Sequence, residues 1–131
     1  MQLYRPVGLG ELRLIARSGF REFPPRLADQ PIFYPVLTLE YARRIAREWN
    51  TTDGQSGYAG FVTSFRIDDE TAGRYPVQDA GGRTHQELWV PAAELPEFNA
   101  HIVGIIQVVE AFTGAGFAGR LDPATLLPTD L

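Results

Sequence analysis

The sequence predicts an α+β domain in which the helices are segregated from a largely antiparallel set of strands. Three observations carry this. Amphipathic helical patterns follow only the first two strand-like runs, and the later runs, from "YAGFVTSFRID" to "IVGIIQVVEAF", succeed one another with a single short helical insertion. No G-x-G-x-x-G follows the first strand, which argues against a doubly wound dinucleotide fold. At 131 residues and 44% hydrophobic content, the chain suits one soluble domain with a single core, expected over 1–112, followed by a Gly/Ala/Pro-rich tail over 113–131.

The elements follow in order. In "QLYRPV", Leu3, Arg5 and Val7 alternate onto one face of a strand and Gln2, Tyr4 and Pro6 onto the other. Arg5 therefore either turns to solvent near a terminus or lines a site. Leu9, Leu12, Ile15 and Ala16 recur at helical spacing, with Glu11 suited to the first turn and Ser18-Gly19 as the stop. "FREFPPRLADQP" holds three prolines and four charges and reads as an irregular loop passing over a face of the domain. "IFYPVLT" is a second strand, and Thr38 is placed to cap "LEYARRIAREWN", whose Leu39, Ala42, Ile45, Ala46 and Trp49 form an apolar stripe. Arg43, Arg44 and Arg47 fall late in that helix, where a solvated face opposing the negative end of its dipole explains them.

"TTDGQSG" is a turn, and the strand after it places Ala59, Phe61, Phe65 and Ile67 on its more apolar side. Asp68, Asp69 and Glu70 read as a solvated turn, since adjacent carboxylates do not converge on a metal unaided. "PVQDAGGRTHQELWVP" reads as strand, Gly-Gly turn, strand, with Leu88 and Val90 on one side and His85, Glu87 and Trp89 on the other. "AAELPEFNAH" is a short helical turn broken by Pro96. "IVGIIQVVEAF", apolar on both faces, is expected to be a central strand covered on two sides. The tail is either laid on the surface or disordered.

Charge and composition restrict the partners. With 16 acidic against 12 basic residues the formal charge is −4, so the overall field favours neither nucleic acid nor an anionic membrane. All 12 basic residues are arginine, a pattern that a GC-rich genome accounts for. There is no cysteine, which excludes disulfides, thiol nucleophiles and thiolate metal sites. No run approaches the roughly 18 apolar residues of a membrane span, and the N-terminus lacks a signal pattern, so a cytoplasmic location is expected.

Arg5, Tyr34 and Glu87 stand out because each polar or aromatic side chain lies within a strand, where it is held firmly. Each also has a plainer reading: an exposed arginine, a core aromatic and a surface carboxylate. Their order and setting resemble the ADP-ribosyltransferase superfamily, with "LYRPVGLGELRLIARSG", "IFYPVLTLEYARRIA" and "THQELWVP" as the three motif segments. The chain also resembles a family of small bacterial proteins known as ADP-ribosylation/crystallin proteins, through "LYRPVG", "FPPR", "QPIFYPVL", "YARRIA" and "ELWVPAAEL".

The resemblance implies a split, largely antiparallel β-sheet with two main helices, and NAD as substrate. It implies that Arg5 forks onto the pyrophosphate or ribose, that Phe33 or Tyr34 packs on the nicotinamide, and that Glu87 is catalytic. His85 stands two positions before Glu87, where arginine-modifying transferases have an acidic residue, which argues against arginine as acceptor. His85 either lies beside the cofactor or faces solvent. The acceptor would be a protein or a small molecule, and the alternative is a non-catalytic nucleotide- or protein-binding module on the same fold. The geometric expectation is that Arg5 and Glu87 point into one hollow.

Overall fold

The computed structural model describes residues 1–82 and 84–131. Its main sheet is antiparallel, in the order β1 (Gln2–Val7), β3 (Ala59–Ile67), β7 (Ile102–Thr113). Two short ladders accompany it, β2 (Ile32–Phe33) with β6 (Val90–Pro91), and β4 (Val77–Asp79) with β5 (Gln86–Leu88). With helices α1 (Leu9–Arg17) and α2 (Leu39–Glu48) and the shorter α3 (Asp69–Ala72) and α4 (Leu95–Ala100), the class is α+β.

The position of β7 corrects the expectation of a central, doubly covered strand. It is an edge strand, with Val103 57% and Ile105 48% exposed and Ile106 buried. The central strand is β3, in which Ala59 through Thr63 are all buried between α2 on one face and the main core on the other. The edge is blunted by register shifts against β3, by Gly104 at φ 78°, and by the Phe20 carbonyl accepting from the Ile106 amide at 2.7 Å.

Both main helices end and pack for identifiable reasons. Leu12 and Ile15 bury one face of α1, and the chain leaves it through Gly19 at φ 76°, a left-handed conformation that glycine adopts without a Cβ penalty. Thr38 accepts from the Tyr41 amide at 3.2 Å to cap α2, whose Ala42 and Ala46 pack on Val36 and Val62. Trp49, expected in the apolar stripe, is 59% exposed, because α2 ends at Glu48 and Trp49 is already its C-cap. Arg43, expected to be solvated, instead forks onto Glu110 of β7. Pro96 sits in the first turn of α4 rather than breaking a helix, since no amide donor is required there. Asp69 and Glu70, read as a turn, open α3 under the Asp68 cap.

The long loop 20–31 is anchored from inside. Phe23 packs on Phe33 and Phe65 at centroid distances of 5.0 and 4.8 Å, and its backbone N–H and carbonyl are both bonded by the Asn99 side chain. The tail folds back on itself through a Leu121–Pro128 bridge, and Phe117, Leu121 and Leu127 pack against the core. No helix among the described residues is long and apolar enough to cross a membrane.

One interruption positions the site. "IFYPVLT" forms a strand only at Ile32–Phe33, because Pro35 has no amide to continue the ladder. Val36 alone then stitches β1 to β5, bridging Tyr4 on one side and Glu87 on the other. Beyond that stitch the sheet is split.

Candidate functional site

A cleft of about 980 Å³ opens at the split, within the usual size of small-molecule sites. Arg5, Tyr34 and Glu87 all line it. The register sets Tyr4, Val36 and Glu87 on one side of the ladder, while Leu3, Arg5 and Val7 alternate onto the other. Arg5 and Glu87 thus both border the cleft but project from opposite faces of the bridged strands, which corrects the expectation that they point into one hollow.

Arg5 is only 8% exposed, held inward by its alternation with the fully packed Leu3 and Val7. Its Nε and Nη2 donate to the Glu11 carboxylate at 2.7 and 2.9 Å, Nη1 makes a longer 3.5 Å contact to the Tyr34 carbonyl, and the guanidinium lies 4.7 Å over the Phe33 ring. Phe33 is fully buried and lies beneath the arginine, whereas Tyr34 is 40% exposed on the cleft wall. Of these two aromatics, Tyr34 is the one a ligand would meet.

Glu87 is 9% exposed and accepts two hydrogen bonds, from Trp89 Nε1 at 2.8 Å and from the Tyr41 hydroxyl at 3.2 Å. Burial, reinforced by the neighbouring Glu87 charge, pushes the Tyr41 hydroxyl above its ordinary value and keeps it a donor. Two further lone-pair positions on the carboxylate remain for a ligand. His85 is not part of the cleft wall: its Nδ1 lies 3.0 Å from the Gly81 carbonyl and its ring packs edge-on against Tyr41 at 4.7 Å. Its contact with Glu87 is indirect, through that tyrosine.

The site also contains residues that sequence reasoning passed over. Glu11 was fully explained as a first-turn acid of α1, yet it clamps Arg5. Arg26, in the irregular loop, donates through Nε to the Ile32 carbonyl at 3.2 Å and brings Nη1 to 3.9 Å from Glu11. Burial first, and the Arg5 charge second, lower its pKa. Trp89 and Trp49, both exposed by about half, add aromatic surface to the same cleft. At its far end Asn50 donates to Ser56 at 2.9 Å and Ser56 to Asp53 at 2.7 Å, closing the wall with a polar relay.

Fold and site together define an α+β protein with a largely buried arginine pair, exposed aromatics and a doubly bonded carboxylate around one cleft. No protein-family model, curated protein or solved structure matches the chain.

Proposed function

We propose that the cleft binds NAD as a substrate and that the protein transfers its ADP-ribose to an acceptor or hydrolyses it. The observation that carries this is that Arg5, Tyr34 and Glu87, from three separate segments, all line one cleft. In this reading the bond from ribose C1′ to the nicotinamide nitrogen breaks and nicotinamide leaves with the electron pair. Positive charge grows on the ribosyl carbon, and the Glu87 carboxylate, bonded to a ribose hydroxyl, stabilises it. An acceptor or a water then adds to C1′ and loses its proton. Tyr34 offers a half-exposed ring for the nicotinamide, a contact of roughly 0.5–1.5 kcal/mol beyond area burial.

A second reading, a nucleotide- or protein-binding module without catalysis, is favoured by the closed Arg5–Glu11 fork and by His85 standing where a second acidic residue would be. Incubation with NAD separates the two. Nicotinamide release that falls about 10²-fold or more in Glu87→Ala supports the enzyme. Calorimetric binding without release supports the module, and neither binding nor release at millimolar NAD overturns the proposal.

A further inference from the structure

We infer that Arg26, rather than Arg5, is the guanidinium that receives the diphosphate of a bound nucleotide, with Arg5 and Glu11 acting as the brace behind it. The inference rests on the nucleotide reading of the cleft for the identity of its ligand. A guanidinium binds phosphate through two parallel N–H groups, and in Arg5 the Nε/Nη2 edge is already closed on Glu11 at 2.7 and 2.9 Å. Its remaining nitrogen, Nη1, is directed to the Tyr34 carbonyl, and its flat face is covered by Phe33. The side-on fork of Arg5 is spent on Glu11, and the end-on pair that remains is 8% exposed with one of its nitrogens already turned to the Tyr34 carbonyl, so Arg5 is poorly placed to take a phosphate.

Arg26 is built differently. Its Nε is fixed by the Ile32 carbonyl, which orients the side chain, while Nη1 and Nη2 make no hydrogen bond among the described residues. Its backbone is held by Pro24-Pro25 before it and by Phe23, which is seated in the aromatic core and bonded by Asn99. The side chain is only 13% exposed, yet it lines the cleft.

The charge count points the same way. The ionised groups nearest Arg26 are Arg5 and Glu11, two cations with one carboxylate, so this cluster holds a local excess positive charge in a largely buried setting. Glu87 and Asp53 also line the cleft and keep their charges, since their partners Trp89, Tyr41 and Ser56 are neutral donors, so the positive excess is local to the Arg5–Glu11–Arg26 cluster. An uncompensated buried cation is costly, and an anionic ligand relieves that cost. The N-terminus of α1 adds to the effect: Gly8 caps it without a side chain, Gly8 and Gly10 form part of the cleft wall, and the space over Gly10 is open.

The test compares the full chain with Arg26→Gln and Arg26→Lys by calorimetry, using NAD, inorganic pyrophosphate and nicotinamide riboside, which lacks the diphosphate. The expected result is an NAD affinity about 10- to 100-fold weaker in Arg26→Gln, the range lost with a charged hydrogen bond. Arg26→Lys, which keeps the charge without the fork, falls between, and riboside binding is unchanged in both. Equal NAD binding by wild type and Arg26→Gln overturns the inference while leaving the NAD reading in place. Pyrophosphate binding that is lost in Arg26→Gln, with no NAD binding by wild type, overturns the NAD reading and supports the anion site. If Arg26→Gln does not fold, Arg26→Lys decides, and wild-type affinity for both NAD and pyrophosphate in that variant overturns the inference.

Discussion

The Arg5 guanidinium and the Glu11 carboxylate meet edge to edge, six residues apart, across the turn from β1 into α1. Both side chains are largely buried, at 10% and 21% exposure, so removing one strands the other's charge away from water. Glu11→Ala is therefore expected to cost about 2–3 kcal/mol, read from the urea midpoint. The double replacement Arg5→Met/Glu11→Met should cost less than either single one, because neither partner's charge is stranded and the net charge around Arg26 stays as it was. Additive losses would show that the pair is not coupled.

A second prediction concerns Tyr41. Its hydroxyl is pushed above its ordinary value of 10.0 by burial first and by Glu87 second, through both charge and the hydrogen bond. In Glu87→Gln the Tyr41 titration, followed by NMR of the ring carbon that bears the hydroxyl, should move downward but stay above an exposed tyrosine, since burial persists. The raised value also carries a stability term, fully present below pH 10 and lost as pH rises through the folded value. An unmoved Tyr41 titration would place Glu87 out of its reach.

How much of this arrangement could be read from the sequence differs residue by residue. The two main helices were legible because apolar spacing and the Thr38 cap are local signals. So were the two alternative directions of Arg5, and its sharing a face with Leu3 and Val7 is what drives it inward. The partner of Arg5 was not legible, because Glu11 already had a sufficient explanation as a first-turn acid. Arg26 lies in a loop without periodicity, and only the tertiary contacts of Phe23 with Phe65 and Asn99 determine where that loop runs. The position of β7 was misjudged for another reason. Apolar content on both faces does not distinguish a central strand from an edge strand, and the burial of β3 on both sides depends on the helix that crosses it.

Asp68 supplies a pH dependence. Its carboxyl is lowered from 3.8 to about 2, chiefly by the hydrogen bond that the Thr71 amide donates at 2.7 Å, and then by His101, whose Nδ1 lies 2.8 Å away. A depressed folded value means that its contribution is complete above pH 3.8 and disappears as pH falls toward 2. The stability difference between wild type and Asp68→Ala should thus be constant near neutrality and vanish across that acid window. Thermal melts at a series of pH values measure it, and a difference that persists at pH 2 would mean the cap acts by some route other than charge.

The last prediction tests how α2, which carries Tyr41 and ends at Glu48, is held against the sheet. Gly60 of β3 lies directly under that helix: a Cβ there would overlap the Ala46 carbonyl and stand 2.8 Å from both Ala46 Cα and Asn50 Cβ. The Ala46 atoms belong to the helix backbone, so relief requires α2 to lift off β3 as a unit. Gly60→Ala should cost about 1–3 kcal/mol for this overpacking and should loosen the Tyr41–Glu87 contact as well. Gly10→Ala is the matched control. A Cβ on Gly10 meets nothing within 4 Å, and replacing glycine inside α1 should stabilise by about 0.5–1 kcal/mol. Opposite shifts of the two urea midpoints are the expected outcome. A Gly60→Ala protein as stable as wild type would rule out so close a seating of α2 and, with it, the wall of the cleft that the helix builds.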